Sequence, residues 1–221
     1  MIANEGLAWA FTAWFAALTV ISGVGAIRAR RSIDRASYLA HVVMLAAMAL
    51  MPWPAFMAVP DAVWIGLFAL MAAGYIAVAL GRPGVPVGPG AGRRARRLIG
   101  WYHAAMMLGM AWMVVLMAQL HAAAPGVAAP TVEFLDGHHH GASAPAPGAG
   151  TIPPLWDLPL WVTGVTFAFA AMFVVAAVRF LAQLRAAPRE ARPGQALPPR
   201  TELLLGAAIA AGMAASYFVM S

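Results

Sequence analysis

Two stretches of the chain carry the same five residues at the same spacing. Arg35 is followed by His41, Met44, Met48 and Met51, and Arg97 by His103, Met106, Met110 and Met113. Both read R-x5-H-x2-M-x3-M-x2-M, 62 residues apart. On a helix turning ~100° per residue, the His and Met positions share one stripe about 80° wide. Met117 and His121 extend the second stripe, giving a column about 27 Å long, close to the hydrocarbon thickness of a bilayer. Thioether sulfur is soft, uncharged and does not titrate; it ligates Cu(I) or Ag(I) well and hard cations poorly. Neutral imidazole suits copper, zinc and haem iron. His41, Met44, Met48, Met51, His103, Met106, Met110, Met113, Met117 and His121 are therefore candidate ligands of a soft metal ion, copper(I) first.

Two other readings stand beside this one. His41 and His103 at matched depth are also candidate axial ligands of a b-type haem, with Ala40 and Ala104 leaving room for the macrocycle. Methionine is also a flexible core filler, and a stripe of this spacing is what any helix–helix seam looks like. On that reading the chain is an accessory subunit that packs and binds nothing. The histidines weigh toward a ligand, because an ionisable residue inside a span is rare and costly unless it has a use. A fainter third copy runs Arg200, Gly206, Ile209, Met213 and Ser216, in which only the arginine and Met213 match.

The elements that position these residues must be membrane helices. Of the 221 residues, 62% are apolar and 10% charged, against roughly 25% charged in a soluble domain. Runs long enough to cross a bilayer cover residues 6–27, 38–53, 62–80, 98–121, 158–184 and 203–220. The second is short and ended by Pro52 and Pro54. The expected fold is all-α: one membrane domain, an integral bundle of six transmembrane helices. It is expected to consist of two or three parallel helical-hairpin repeats, 6–57, 62–121 and a degenerate 157–221. A flexible loop, 122–156, is expected outside. Gly206, Ala210 and Gly212 in the last span, and Gly23 with Ala26 in the first, read as close-packing helix surfaces.

All fourteen positive charges are arginine, and they cluster in alternate connections. Glu5, Asp61, Glu133, Asp136 and Asp157 fall in the others. The positive-inside rule then puts the arginine-rich loops in the cytoplasm and both termini outside, in a multi-pass protein of the plasma membrane. Residues 1–5 lack a positive n-region, so the first span is not expected to be a cleavable signal. The pI near 11 follows from topology; the basic loops lack the interleaved aromatics of a nucleic-acid surface. With no cysteine, thiolate sites and nucleophiles are excluded. No P-loop, dinucleotide or HExxH pattern is present, so no enzyme is expected. His138, His139 and His140, with Asp136 and Glu133, are a candidate outer capture site for Cu(II) or Zn(II). The expected partners are the lipid bilayer and a second copy or a membrane-complex subunit.

The six spans, the Arg-x5-His-Met repeat and the long histidine-bearing outer loop resemble a family of small actinobacterial membrane proteins of unknown function. The resemblance spans residues 7–220 and is carried by His41, Met44, Met48, His103, Met106 and Met110. It implies a topology and no established activity. A weaker similarity is to the membrane domains of copper-resistance proteins of the D type, which also carry intramembrane His and Met but have more spans.

Overall fold

The computed structural model describes residues 5–80, 93–123, 159–187 and 195–219, with the side chains of Ile33, residues 93–96, 121–123 and Val219 left aside. Among these residues there are seven helices and no strand. They are α1 (Glu5–Arg28), α2 (Ser32–Leu50), the single turn α3 (Pro54–Met57), α4 (Asp61–Ala79), α5 (Arg93–Ala123), α6 (Leu160–Leu184) and α7 (Pro199–Val219). Five of them, α1, α4, α5, α6 and α7, are long and apolar enough to cross a bilayer. Their outer faces carry large apolar side chains such as Val20, Ile27, Leu70, Val175 and Leu160. Such a surface belongs in lipid, so the chain is a multi-pass membrane protein.

Helix α2 is not among the five. It opens with Asp34 and Arg35 and carries His41 ten residues in, so its uninterrupted apolar run covers only residues 42–50. The helix nevertheless starts six residues before the apolar stretch read from sequence, because backbone hydrogen bonding continues through polar residues that hydropathy penalises. It stops where Pro52 and Pro54 deny the donors of a further turn, and Pro54 opens α3 at its first position. Helix α5 likewise begins five residues earlier than its apolar run, inside the arginine cluster.

The helices pack chiefly in sequential pairs, α1 on α2, α4 on α5 and α6 on α7, with α1 also against α7. Small residues let the pairs approach. A Cβ on Gly25 would come 2.6 Å from the Tyr38 ring, and one on Gly100 would come 2.9 Å from Ala79 Cβ. In α7 the expected glycines do serve as close surfaces: Gly206 faces Phe180, and Gly212 faces Phe15 and Trp14. In α1 the contact glycine is Gly25, whereas Gly23 has nothing within 4 Å.

Arginines close two of the pairs at one end. Arg35 donates from Nε to the carbonyl of Ala26 and from Nη2 to that of Ala29, both at 3.3 Å. These carbonyls lie in the last turn of α1 and just beyond it, where no intrahelical donor remains for them. Arg200 does the same just beyond α6, its Nε donating to the Ala187 carbonyl at 3.0 Å. Tyr38 donates to Glu202 Oε1 at 2.8 Å, so the first turns of α2 and the start of α7 lie at the same end of the bundle. At the far end of the first pair, Trp53 Nε1 donates to Thr12 Oγ1 at 2.8 Å and its ring meets Trp9 edge-on at 4.5 Å. Thr12 in turn donates to the carbonyls of Ala8 and Ala49.

Candidate functional site

The methionine stripes of α2 and α5 face inward. Met44, Met48, Met51, Met106, Met110, Met113 and Met117 are all buried, the most accessible of them 8% exposed, and all belong to one core cluster. Met107, just off the stripe, and Met213 of α7 are fully buried in that cluster too. Phe15 and Leu18 of α1, Phe68 of α4 and Phe173 of α6 surround them. The thioethers of the two stripes, packed with aromatic and aliphatic side chains, thus make up much of the core of the bundle.

His41 and His103 meet at one end of this column. Their ring centres are 5.0 Å apart with planes at 85°, an edge-to-face contact between α2 and α5. Each ring uses Nδ1 in the same way: His41 Nδ1 lies 2.7 Å from the Ser37 carbonyl and His103 Nδ1 lies 2.7 Å from that of Ile99. Both acceptors are four residues back on the same helix. A carbonyl only accepts, so Nδ1 carries the proton in both rings. In the neutral imidazole Nε2 then holds the lone pair, the form in which histidine ligates metal. The repeat therefore extends beyond residue types to an identical hydrogen bond and an identical tautomer.

Aromatic residues frame the pair. Tyr75 of α4 stacks on His103 with centres 4.9 Å apart and planes at 22°, and Tyr102 meets the same ring edge-on at 5.5 Å. The Tyr75 hydroxyl lies 3.1 Å from Ser37 Oγ. The Tyr102 hydroxyl is buried without a hydrogen-bond partner among the described residues. Tyr75 and Ser37 were not legible as site residues, because neither follows the 62-residue repeat: Ala13 stands where α1 would match Tyr75, and Ile99 where α5 would match Ser37. The signal that was available is Ser37's place four residues before His41, where a helix puts its carbonyl beneath the ring.

The third copy does not join the site. Gly206, at the histidine position of α7, faces the Phe180 ring, from which a Cβ would be 3.2 Å. Phe180 in turn touches Tyr102 edge-on at 5.5 Å. The side chain of His121, and all of Glu133, Asp136, His138, His139 and His140, lie outside the described residues. The lower end of the expected column and the expected outer capture site therefore have no described geometry.

The donors present are two imidazoles and a run of thioethers. Among the described residues no three His, Cys, Asp or Glu side chains group as metal ligands, so the three-donor sets typical of zinc have no counterpart there. Two imidazoles on one bent or tetrahedral centre, with nitrogen–metal bonds of ~2.0 Å, hold their ring centres about 5 Å apart. The His41 and His103 ring centres lie 5.0 Å apart, edge to face. Axial histidines of a haem would stand about 6 Å apart with the macrocycle between them, whereas these rings touch.

Comparison with curated proteins gives no match, and neither does comparison with solved structures. A family model described as a domain of unknown function (DUF5134) matches residues 33–220, which include α2 to α7 and both histidine–methionine copies. The chain accordingly belongs to the DUF5134 family.

Proposed function

We propose that the protein binds a soft monovalent metal ion, copper(I), at the His41–His103 pair, and that the buried methionines beneath it extend the site into a column for holding or passing the ion. The observation that carries this is the paired tautomer: two contacting histidines, each with Nδ1 anchored to a carbonyl and Nε2 left unprotonated. Uncharged thioethers let a monovalent soft cation lie within the bilayer without buried carboxylates, whose desolvation is costly. This is a role in copper uptake, handling or delivery, with no catalysis by protein side chains.

In the same reading α2 is the sixth span, the arginine-bearing turns face the cytoplasm and both termini lie outside, in the plasma membrane. The gathering of Arg35, Tyr38 and Glu202 at one end supports this arrangement. The chain has no native cysteine, so single Ser143→Cys and Ser32→Cys variants test it directly. An impermeant maleimide applied to whole cells should label the first and spare the second; the opposite pattern inverts the topology.

The decisive experiment loads detergent-purified protein with Cu(I), desalts it, and measures metal content and optical spectrum beside a His41→Ala/His103→Ala double variant. The expected result is stoichiometric copper in the native protein and its loss in the variant. An iron signal with a Soret band would transfer the pair to haem. Folded protein retaining neither metal would make the histidine–methionine face a packing surface.

A further inference from the structure

We infer that Tyr75 is a positioning residue that sets both histidines at once, one through its ring and the other through its hydroxyl. The significance for a ligand rests on the copper reading; the positioning itself does not. Tyr75 comes from α4, outside the repeated helices, yet it touches the environment of each ring. Its face lies 4.9 Å from His103 at 22°, and its hydroxyl is 3.1 Å from Ser37 Oγ and 3.5 Å from the Ser37 carbonyl. That carbonyl is the one that takes the His41 Nδ1 proton at 2.7 Å.

A stacked ring and a second-partner hydrogen bond do different things. Rotation about the outer torsion of histidine is soft and nearly two-fold. A carbonyl bond on Nδ1 opposes a flip, and for His103 a ring lying parallel against its face opposes it further. Tyr102 and His41 bound His103 only by edge contacts, so Tyr75 supplies its one stacked face among the described rings. For His41 the device is indirect. The tyrosine hydroxyl fixes Ser37, and Ser37 holds the acceptor. Groups that orient metal-binding histidines typically change affinity 10- to 100-fold when removed. A single tyrosine acting on both members of a pair thereby couples their orientations.

Two substitutions separate the roles. Tyr75→Phe keeps the ring and removes the hydroxyl, while Tyr75→Leu removes both. The metal-free readout is the nitrogen-15 spectrum of histidine-labelled protein, which distinguishes Nδ1–H from Nε2–H tautomers. The native protein should show two rings held in the Nδ1–H form. Tyr75→Phe should leave His103 unchanged and turn the His41 signal into a tautomer mixture; Tyr75→Leu should mix both. Cu(I) affinity, measured against a chromophoric chelator, should fall about 10-fold or more in Tyr75→Leu and less in Tyr75→Phe. Unchanged tautomers in folded Tyr75→Leu would overturn the inference. Should that variant fail to fold, an unchanged His41 in Tyr75→Phe overturns it alone. If native protein binds no copper while the tautomers still shift, the positioning role stands and the copper reading falls.

Discussion

Helices α2, α5 and α7 hold equivalent places, each the second member of its pair and each with an arginine near its start, but they fill the core with different chemistry. In α2 and α5 the inward face reads histidine then methionines, and the two faces meet. In α7 the corresponding face holds Leu205, Ile209, Met213 and Tyr217, and its glycine turns to an aromatic ring instead of to the histidines. Tyr217 packs its ring near-parallel to those of Phe169 and Phe173 and donates to the Gly109 carbonyl of α5 at 2.6 Å. Two copies of one pattern thus form a polar pair at the head of a sulfur column, and the third closes the bundle with rings and one hydrogen bond. A methionine in the core is therefore no evidence of a ligand by itself; its helix must also bring a histidine to the common point.

That contrast can be broken at several places. Met110 is fully buried among other methionines, so Met110→Ala should cost about 2–5 kcal/mol, more than any change confined to α7's glycines. Thermal unfolding in detergent measures it, and a loss under 1 kcal/mol would mean the column is loosely packed. Gly206→His, which completes the repeat on paper, should destabilise by about 1–3 kcal/mol, because the new side chain meets Phe180. It should add no bound metal; a gain in copper stoichiometry would show that α7 can join the pair. Tyr217→Phe should lose roughly 1 kcal/mol with its buried hydrogen bond and leave copper binding as it is. The smallest effect on stability, and the sharpest on the comparison, comes from volume-conserving changes. Met106→Leu and Met213→Leu should each cost less than about 1.5 kcal/mol, but only the first should weaken Cu(I) binding, by roughly tenfold or 1.4 kcal/mol. Equal weakening would erase the distinction between the helices.

Much of the site was legible because it is periodic. Spacing alone put seven methionines on two faces, and all seven are buried. What the sequence does not mark is aperiodic. Tyr75 sits on a helix read only as an apolar span, and nothing in its neighbourhood of alanines and isoleucine marks it as part of a histidine's surroundings. Helix α2 shows the same limit in the fold: hydropathy found its apolar end and missed the polar turns that begin it, because hydrogen bonding and not apolarity decides where a helix starts. The arginines were read for the side of the membrane they favour, which says nothing about the carbonyls that Arg35 and Arg200 reach.

Those two guanidinium groups give each arginine a double reading. In the proposed orientation it counts, during insertion, as a unit of charge that keeps its turn from crossing the membrane. Once the helices have met, it is a fork that fastens one helix end to the beginning of the next. Lysine supplies the charge but has no planar pair of donors. Arg35→Lys should therefore insert in the same orientation and yet leave its hairpin frayed, so that biogenesis and closure, usually assigned to different residues, become separable at one side chain.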